Sequence, residues 1–123
     1  MPTYSFNHVH HETTDVDVAV DFYRRVFDAT TDQPFERGGA TWVGVYIGNT
    51  KITVTDREFT SMELGRYQGY DHLALSTDDF DASIAQIEKE GVHIWLGPVG
   101  DAPSRIVFID GPDHVKIEIM EQA

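Results

Sequence analysis

The residues from Asn7 to Asp17 hold the densest group of side chains in this chain that could perform chemistry. Five of them, His-Val-His-His-Glu at 8–12, supply three histidines and one carboxylate. Neutral imidazoles and carboxylates bind divalent metals and also serve as general acids and bases. Because the chain has no cysteine, any metal it holds must use these groups. The same absence excludes a disulfide framework and a cysteine nucleophile.

Strand alternation divides this histidine group between two faces. The pattern predicts a β-strand over 6–14, in which successive side chains point to opposite sides. One face then carries three chemically capable residues: His8, His10 and Glu12. His11 lies on the other face, where a partly buried core histidine is expected. Of the three histidines, we therefore expect His8 and His10 to face a cavity and His11 to face away from it.

The pattern around His8 returns later in the chain. Asn7-His8 stands before Asp15, Asp71-His72 stands before Asp79, and in both copies the aspartate lies seven positions after the histidine. Each aspartate suits the N-cap of a helix, since its side chain can accept a backbone N–H there. Apolar residues at helical spacing follow both. We interpret the two stretches as copies of one internal repeat.

Each copy predicts one strand, one helix and three further strands. The strands are expected at 6–14, 30–35, 41–47 and 51–55, and again at 70–77, 92–96, 105–109 and 115–120. Gly97-Pro98 predicts a loop and Gly111-Pro112-Asp113 a turn. The resulting fold class is α+β, with two tandem βαβββ modules forming a curved mixed sheet around a cavity. A single domain over 1–123 would contain module 1 at about 5–56, a linker at about 57–68 and module 2 at about 69–121.

Two such modules cannot each bury a sheet face alone, so we expect them to pack around a shared cavity. The equivalent residues His8 and His72 would then both face it. In the last strand Glu118 alternates with Ile117 and Ile119, so its carboxylate points away from these apolar neighbours. Thr53 occupies the position of Glu118 in the first copy.

These landmarks resemble the vicinal oxygen chelate superfamily, which includes glyoxalase I, methylmalonyl-CoA epimerase, extradiol dioxygenases, fosfomycin-modifying enzymes and bleomycin-binding proteins. The resemblance covers nearly the whole chain. Three stretches carry it: Asn7-His8 with Asp15-Val16-Asp17 and Phe22-Tyr23, Asp71-His72 with Asp79-Phe80-Asp81, and Gly111-Pro112-Asp113-His114-Val115-Lys116-Ile117-Glu118. It implies paired βαβββ modules and a divalent metal bound by the opening and closing strands.

Carried over residue by residue, the resemblance implies His8, His72 and Glu118 as ligands of a divalent ion such as zinc, nickel, cobalt, manganese or iron. Such an ion would act as a Lewis acid on two neighbouring substrate oxygens. The chain departs from the family at two positions. Four-ligand members such as glyoxalase I have Glu or Gln where this chain has Thr53, and the family's turn usually has Gly where His114 stands.

Four further residues are candidates for work beside the metal. His10 and Glu12 share the strand face of His8, so we expect catalytic roles as a general base or as partners of the ligands. Arg105 and Thr53 are expected to contact substrate, with the Arg105 guanidinium holding an anion. The alternative for Arg105 is an ion pair with one of the many acidic residues of this chain.

The leading functional prediction is a glyoxalase-like metalloenzyme, a lyase or isomerase that binds a small oxygenated substrate by bidentate chelation. An extradiol-type dioxygenase and a metal-free binding protein of the bleomycin-resistance type remain open alternatives. With 21 acidic and 9 basic residues, the net charge of -12 argues against nucleic acid or an anionic membrane as partner. No apolar stretch predicts a leader or a membrane span. We therefore expect a cytoplasmic protein, and the family resemblance implies a homodimer.

Overall fold

The computed structural model describes residues 3, 6–58, 70 and 72–122. The chain divides into two compact units, Met1–Ser61 and Met62–Ala123. This boundary falls within the predicted linker at about 57–68, most of which lies outside the described residues, as does Asp71. The inclusion of both units in a single domain stays a prediction.

The first unit contains a mixed sheet and one helix among its described residues. Its elements are β1 (Val9–Glu12), α1 (Val16–Phe27), β2 (Thr30–Thr31), β3 (Phe35–Arg37), β4 (Ala40–Ile47) and β5 (Thr50–Thr55). β1 pairs in parallel with β5, β5 pairs antiparallel with β4, and both β2 and β3 pair antiparallel with β4. The opening and closing strands of this unit are therefore neighbours.

The second unit repeats this arrangement. Its elements are β6 (Leu73–Thr77), α2 (Phe80–Lys89), β7 (Ile94–Val99), β8 (Ile106–Asp110) and β9 (Lys116–Glu121). The strand order is β6-β9-β8-β7, and again the first and last strands pair in parallel. Two mixed sheets and two helices confirm the predicted α+β fold.

Both helices begin at the predicted aspartates. The Asp15 side chain accepts a hydrogen bond from the Val18 N–H at 3.1 Å, and the Asp79 side chain accepts one from the Ala82 N–H at 3.0 Å. These bonds satisfy backbone donors that have no partner within the helix. α1 ends at Phe27, and its C-cap residue Asp28 adopts a left-handed conformation with φ 53°.

The strand registers confirm that the two units are copies. Val9 pairs with Ile52 as Leu73 pairs with Ile117. One residue further along, His10 pairs with Thr53 and Ala74 with Glu118. Thr53 therefore occupies the Glu118 position, as the sequence predicted.

Four predictions about the elements are wrong. The strand predicted over 6–14 is limited to β1, because its pairing with β5 begins only at Val9, and the strand predicted over 70–77 begins at Leu73. The strand predicted over 30–35 is divided into β2 and β3 around Pro34, whose nitrogen cannot donate to a ladder. Gly97-Pro98, predicted as a loop, lies within β7 at an irregularity in the register with β8.

Each sheet has one buried apolar face, and in the first unit α1 packs against β4 and β5. In the first unit the buried residues include Val43, Val45, Ile52 and Val54 of the sheet and Ala19, Phe22 and Tyr23 of α1. In the second they include Val107, Ile109, Ile117 and Ile119 of the sheet and Phe80 and Ile87 of α2. Neither helix in the described ranges is long and apolar enough to cross a membrane.

Candidate functional site

The histidines of the first stretch separate as strand alternation predicted. His11 is 5% exposed, and its Nδ1 lies 3.0 Å from the Tyr23 hydroxyl of α1. His11 is thus a buried core histidine on the helix side of the sheet. His10 and Glu12 lie on the opposite side, which we call the polar face of the first sheet; it also carries Trp42 and Thr53.

His8 lies just before β1 and contacts its neighbour. Its Nδ1 is 2.7 Å from Oδ1 of Asn7. Because an amide oxygen only accepts hydrogen bonds, Nδ1 of His8 carries the proton in this pair, as in the Nδ1–H tautomer of the ring. This tautomer is the one that a metal-binding Nε2 requires.

His10 and Glu12 form a cluster with Arg57. Nε of Arg57 donates to Oε1 of Glu12 at 2.6 Å, and Nε2 of His10 lies 3.4 Å from the same oxygen without forming a hydrogen bond. Burial lowers the pKa of His10 below its ordinary value, and the nearby Glu12 carboxylate opposes that shift. His10 is therefore neutral at pH 7 and able to accept a proton.

Trp42 closes one side of this cluster. The His10 ring meets the Trp42 ring edge-on at 5.5 Å, and the Arg57 guanidinium lies 5.8 Å from the centre of the Trp42 ring. Phe35 lies beside Trp42 with nearly parallel rings, 6.5 Å apart. Strand register places Phe35, Trp42, Thr55 and Glu12 in one row across the sheet.

Thr53 lies in the next row, between His10 and Gly44. The Asp32 carboxylate takes the space that a side chain at Gly44 would fill; it accepts the Gly44 N–H at 2.8 Å and lies 3.2 Å from the donating Tyr46 hydroxyl. The Asp32 carboxylate thus lies near the row of Thr53, although Thr53 itself stands where the second copy has the carboxylate of Glu118. Sequence reasoning did not identify Asp32.

The second unit brings two predicted ligands together. Nε2 of His72 lies 3.1 Å from Oε1 of Glu118, across the parallel pair of β6 and β9. Phe108 of β8 packs its ring edge-on against His72 at 5.2 Å, and Trp95 packs on Phe108 at 5.0 Å. The aromatic pair holds one side of the His72 ring. Trp95 is 40% exposed.

Arg105 is held by two carboxylates. It donates to both oxygens of Glu121, at 2.9 Å from Nε and 2.7 Å from Nη2, and to Asp81 at 2.9 Å. These bonds raise the pKa of Arg105 and lower the pKa of Glu121. The ion pairing expected as the alternative is confirmed, and substrate contact by Arg105 stays a prediction.

The turn before the last strand departs from ordinary backbone geometry as expected. His114 has φ 59° and the preceding Asp113 has φ 58°. Both values lie in the left-handed region of backbone conformation, which few residues other than Gly adopt at low cost. The turn nevertheless closes, since the Gly111 N–H donates to the Val115 carbonyl at 2.7 Å. β9 follows directly and carries Glu118.

The full metal-ligand set stays a prediction. Within residues 3, 6–58, 70 and 72–122, no three His, Asp or Glu side chains form a group that could hold a metal ion. His8 belongs to the first unit, whereas His72 and Glu118 belong to the second. Within the second unit, the structure brings two of the predicted ligands together, His72 and Glu118.

Besides Asp32, sequence reasoning missed Arg57 and Phe108 as functional candidates. Arg57 lies just beyond β5, at the start of the predicted linker, where a single basic residue gives no periodic signal. Phe108 alternates with the buried Val107 and Ile109. That alternation places it on the same face as Glu118, with which it is paired in register, and could have identified it.

Comparison with known proteins extends the resemblance. A lactoylglutathione lyase of Escherichia coli O157:H7 is 29% identical over 118 residues, covering 88% of this chain and 85% of that protein. TnmS3, an antibiotic binding protein from Streptomyces sp. CB03234, has a similar structure, with TM-score 0.74, 25% identity, and coverage of 98% of this chain and 100% of that one.

A third similar structure is a mutant of the fosfomycin resistance protein FosX from Listeria monocytogenes, complexed with Mn(II) and dihydroxypropylphosphonic acid. Its TM-score is 0.76 at 14% identity, with coverage of 99% of this chain and 95% of that one. The family model of the Glyoxalase/Bleomycin resistance protein/Dioxygenase superfamily matches residues 5–119. The chain therefore belongs to this superfamily, the one its histidine and glutamate landmarks resemble.

Proposed function

We propose that this protein is a metal-dependent lyase or isomerase of the glyoxalase type, which binds a small oxygenated substrate through two neighbouring oxygens. Its ligands are His8, His72 and Glu118. The observation that carries the proposal is the pair of His72 Nε2 and Glu118 Oε1 at 3.1 Å. The lactoylglutathione lyase relative supports the reaction class.

The donor set fits a divalent ion. Ligand atoms bound at about 2.1 Å lie roughly 3.0 to 3.4 Å from one another around a single metal, which matches the separation in the His72–Glu118 pair. Two neutral imidazoles and one carboxylate leave positions for substrate and suit zinc, manganese, iron, cobalt or nickel. The Mn(II) in the structurally similar FosX supports a metal of this group.

When bound, the ion would supply Lewis acidity toward the substrate oxygens. The chain's own groups supply orientation and proton transfer. Oδ1 of Asn7 accepts a hydrogen bond from Nδ1–H of His8, which leaves Nε2 for the ligand role. His10 serves as the general base at Nε2, since burial keeps its ring neutral. Glu12 holds Arg57 beside it.

Two further contacts complete the proposal for substrate. Thr53 presents a hydroxyl on the polar face beside His10, in the place of a fourth ligand, and contacts the substrate there. A substrate anion at Arg105 would have to replace Glu121, which now holds that guanidinium. We also propose that the protein is a cytoplasmic homodimer. Sedimentation of the purified chain would test the dimer.

A second candidate function is metal-free sequestration of a small molecule. Thr53, which removes the carboxylate of a four-ligand site, favours it, as does the similarity to the antibiotic binding protein TnmS3. In this case His72 and Glu118 would be hydrogen-bonded to each other without a metal. An extradiol-type dioxygenase would differ from both by holding iron and consuming oxygen.

Metal analysis of protein purified without chelator tests these alternatives. We expect about one divalent ion per chain, lost in His72→Ala and in Glu118→Gln. His93→Ala is the matched control, because the His93 side chain is 71% exposed and its Nε2 lies 4.0 Å from Oδ2 of Asp110. Absence of metal from the folded wild-type protein would refute the enzyme proposal and favour sequestration. Iron with oxygen consumption would favour the dioxygenase.

A further inference from the structure

His72 lies one residue before the strand that follows it. Pairing between β6 and β9 begins at Leu73, opposite Ile117, so the backbone of His72 precedes the ladder. The His72 side chain is 30% exposed, and its Nε2 lies 3.1 Å from Oε1 of Glu118. A distance at one atom only loosely sets the plane of the ring, because the torsion that rotates an imidazole on its Cβ has broad minima.

The ring of Phe108 defines that plane. It meets the His72 ring edge-on, with 5.2 Å between the ring centres and 82° between the planes. Rings that meet near a right angle attract each other, because the edge of one is positive and the face of the other is negative. Rotation of the imidazole away from this angle loses the attraction. Glu118 therefore constrains the position of Nε2, and Phe108 constrains the tilt of the ring.

Phe108 itself is held firmly in the sheet. β8 lies between β9 and β7, and Phe108 pairs in register with Glu118 of β9. Its neighbours in sequence, Val107 and Ile109, are both 0% exposed. Trp95 of β7 packs on the Phe108 ring with 5.0 Å between the ring centres. The ring and the carboxylate therefore approach the imidazole from neighbouring strands of one sheet.

The first copy of the repeat shows that the fold does not need a ring at this position. Thr53 corresponds to Glu118. The residue that pairs with Thr53 on the next strand is Gly44, in the place that Phe108 has in the second copy. The Asp32 carboxylate fills the space beside that glycine. A sheet with the same strand order thus forms without the ring, so the ring serves the site of the second unit.

The two histidines of the repeat are oriented by different means. His8 lies one residue before β1, as His72 lies one residue before β6. Nδ1 of His8 donates to Oδ1 of Asn7 at 2.7 Å, which is a contact with its own neighbour in sequence. His72 is contacted across the sheet by Phe108. Replacement of Phe108 should therefore affect His72 and leave His8 unchanged.

We propose that Phe108 is a positioning residue for the metal site, which holds the imidazole plane of His72 so that Nε2 and the Glu118 carboxylate are aligned before an ion binds. This rests on the proposed function for the identity of the ligands. An ion then binds at a lower entropic cost, because the ring has lost its rotational freedom in advance. An aromatic pair of this kind changes an equilibrium by roughly threefold to tenfold, which sets the loss of metal affinity expected without the ring.

The test compares Phe108→Leu, which removes the ring and keeps an apolar side chain, with Phe108→Tyr, which keeps the ring. The affinity of each folded chain for cobalt(II) is measured by competition with a chelating dye. We expect Phe108→Leu to bind cobalt about threefold to tenfold more weakly than the wild type, and Phe108→Tyr to bind it as the wild type does. The visible absorption of the bound cobalt, which depends on ligand geometry, should change only in Phe108→Leu.

A second readout needs no metal. The ring nitrogen signals of His72 are followed by NMR in the chelator-treated chain at about pH 8, where imidazoles are neutral. In Phe108→Leu they should move toward those of His93, whose side chain is 71% exposed, and in Phe108→Tyr they should stay. Phe35→Leu is the matched control for both readouts, because it removes a ring of the first unit that packs on Trp42 at 6.5 Å. If Phe108→Leu lacks a dispersed amide spectrum, Phe108→Met takes its place.

Several results would overturn the positioning role. They are equal cobalt affinity in the wild type and Phe108→Leu, an equal loss of affinity in Phe108→Tyr or in Phe35→Leu, or nitrogen signals of His72 that stay unchanged in Phe108→Leu. A wild-type chain that binds no metal, with nitrogen signals that still move only in Phe108→Leu, would instead refute the proposed function and leave the orientation of His72 by Phe108 standing.

Discussion

Replacement of Gly44 by alanine should have opposite effects on stability in two backgrounds. In the wild-type chain a Cβ at this position would overlap the Asp32 carboxylate. That carboxylate must then leave, breaking its bonds with the Gly44 N–H at 2.8 Å and the Tyr46 hydroxyl at 3.2 Å. Bonds to a charged acceptor contribute about 1.5–3 kcal/mol each. Because Asp32 is exposed and regains water, we expect a net loss of about 2 kcal/mol.

In an Asp32→Ala background the same replacement should stabilise the chain. The obstructing carboxylate is absent, and alanine in a strand interior is favoured over glycine by about 0.5–1 kcal/mol, because glycine loses more backbone freedom on folding. Gly44 is not in the left-handed region, so no backbone strain opposes the alanine.

Urea unfolding followed by circular dichroism on the four chains of this double-mutant cycle measures both effects. The wild type, the two single variants and the double variant give a coupling free energy between positions 32 and 44. The same cost for Gly44→Ala in both backgrounds would refute the reasoning, because the cost would then come from the strand and not from Asp32. If Gly44→Ala left the stability of the otherwise wild-type chain unchanged, the Asp32 carboxylate would move away at no cost.

Three further predictions concern the second unit. Asp79→Ala should lower its stability by about 1 kcal/mol, because the cap of α2 is lost, whereas Asp79→Asn in the same urea titration should cost much less. Ile117→Ala should cost about 2–5 kcal/mol, since Ile117 is 0% exposed, while Met120→Ala on the same strand, 41% exposed, should change the unfolding midpoint little. Arg105 lowers the pKa of Glu121, so the contribution of this ion pair to stability is present above the ordinary pKa of 4.5 and is lost as the pH falls through the lower folded pKa. Glu121→Gln should therefore reduce the loss of stability at acidic pH. An unchanged loss of stability at acidic pH would contradict this.

The repeat was predictable from the sequence because its signals are local. Asp15 and Asp79 each follow a histidine by seven residues and precede an apolar stripe, and both cap helices in the structure. The alternation that assigned His11 to the core side likewise depends only on strand geometry. Register then follows, since a slip of one residue would expose every apolar side chain.

The partners within the site were not predictable in the same way. Arg57 reaches Glu12 across 45 residues of sequence, and the Asp32 carboxylate reaches Gly44 across 12. Such contacts depend on which strands become neighbours and on side-chain rotamers, neither of which leaves a periodic pattern. The bulge at Gly97 within β7 was missed because Gly-Pro signals a loop and an irregular strand equally.

The parallel pairing of first and last strands has a consequence for folding kinetics. His72 and Glu118 are separated by 46 residues, so their contact forms only after the chain between them has closed. Contacts of such long range slow folding, because the entropy of closure is lost before they form. An ion that needs both side chains would bind only chains in which β9 has already joined β6. Metal occupancy would then report completed folding of the second unit, and partly folded chains would remain empty.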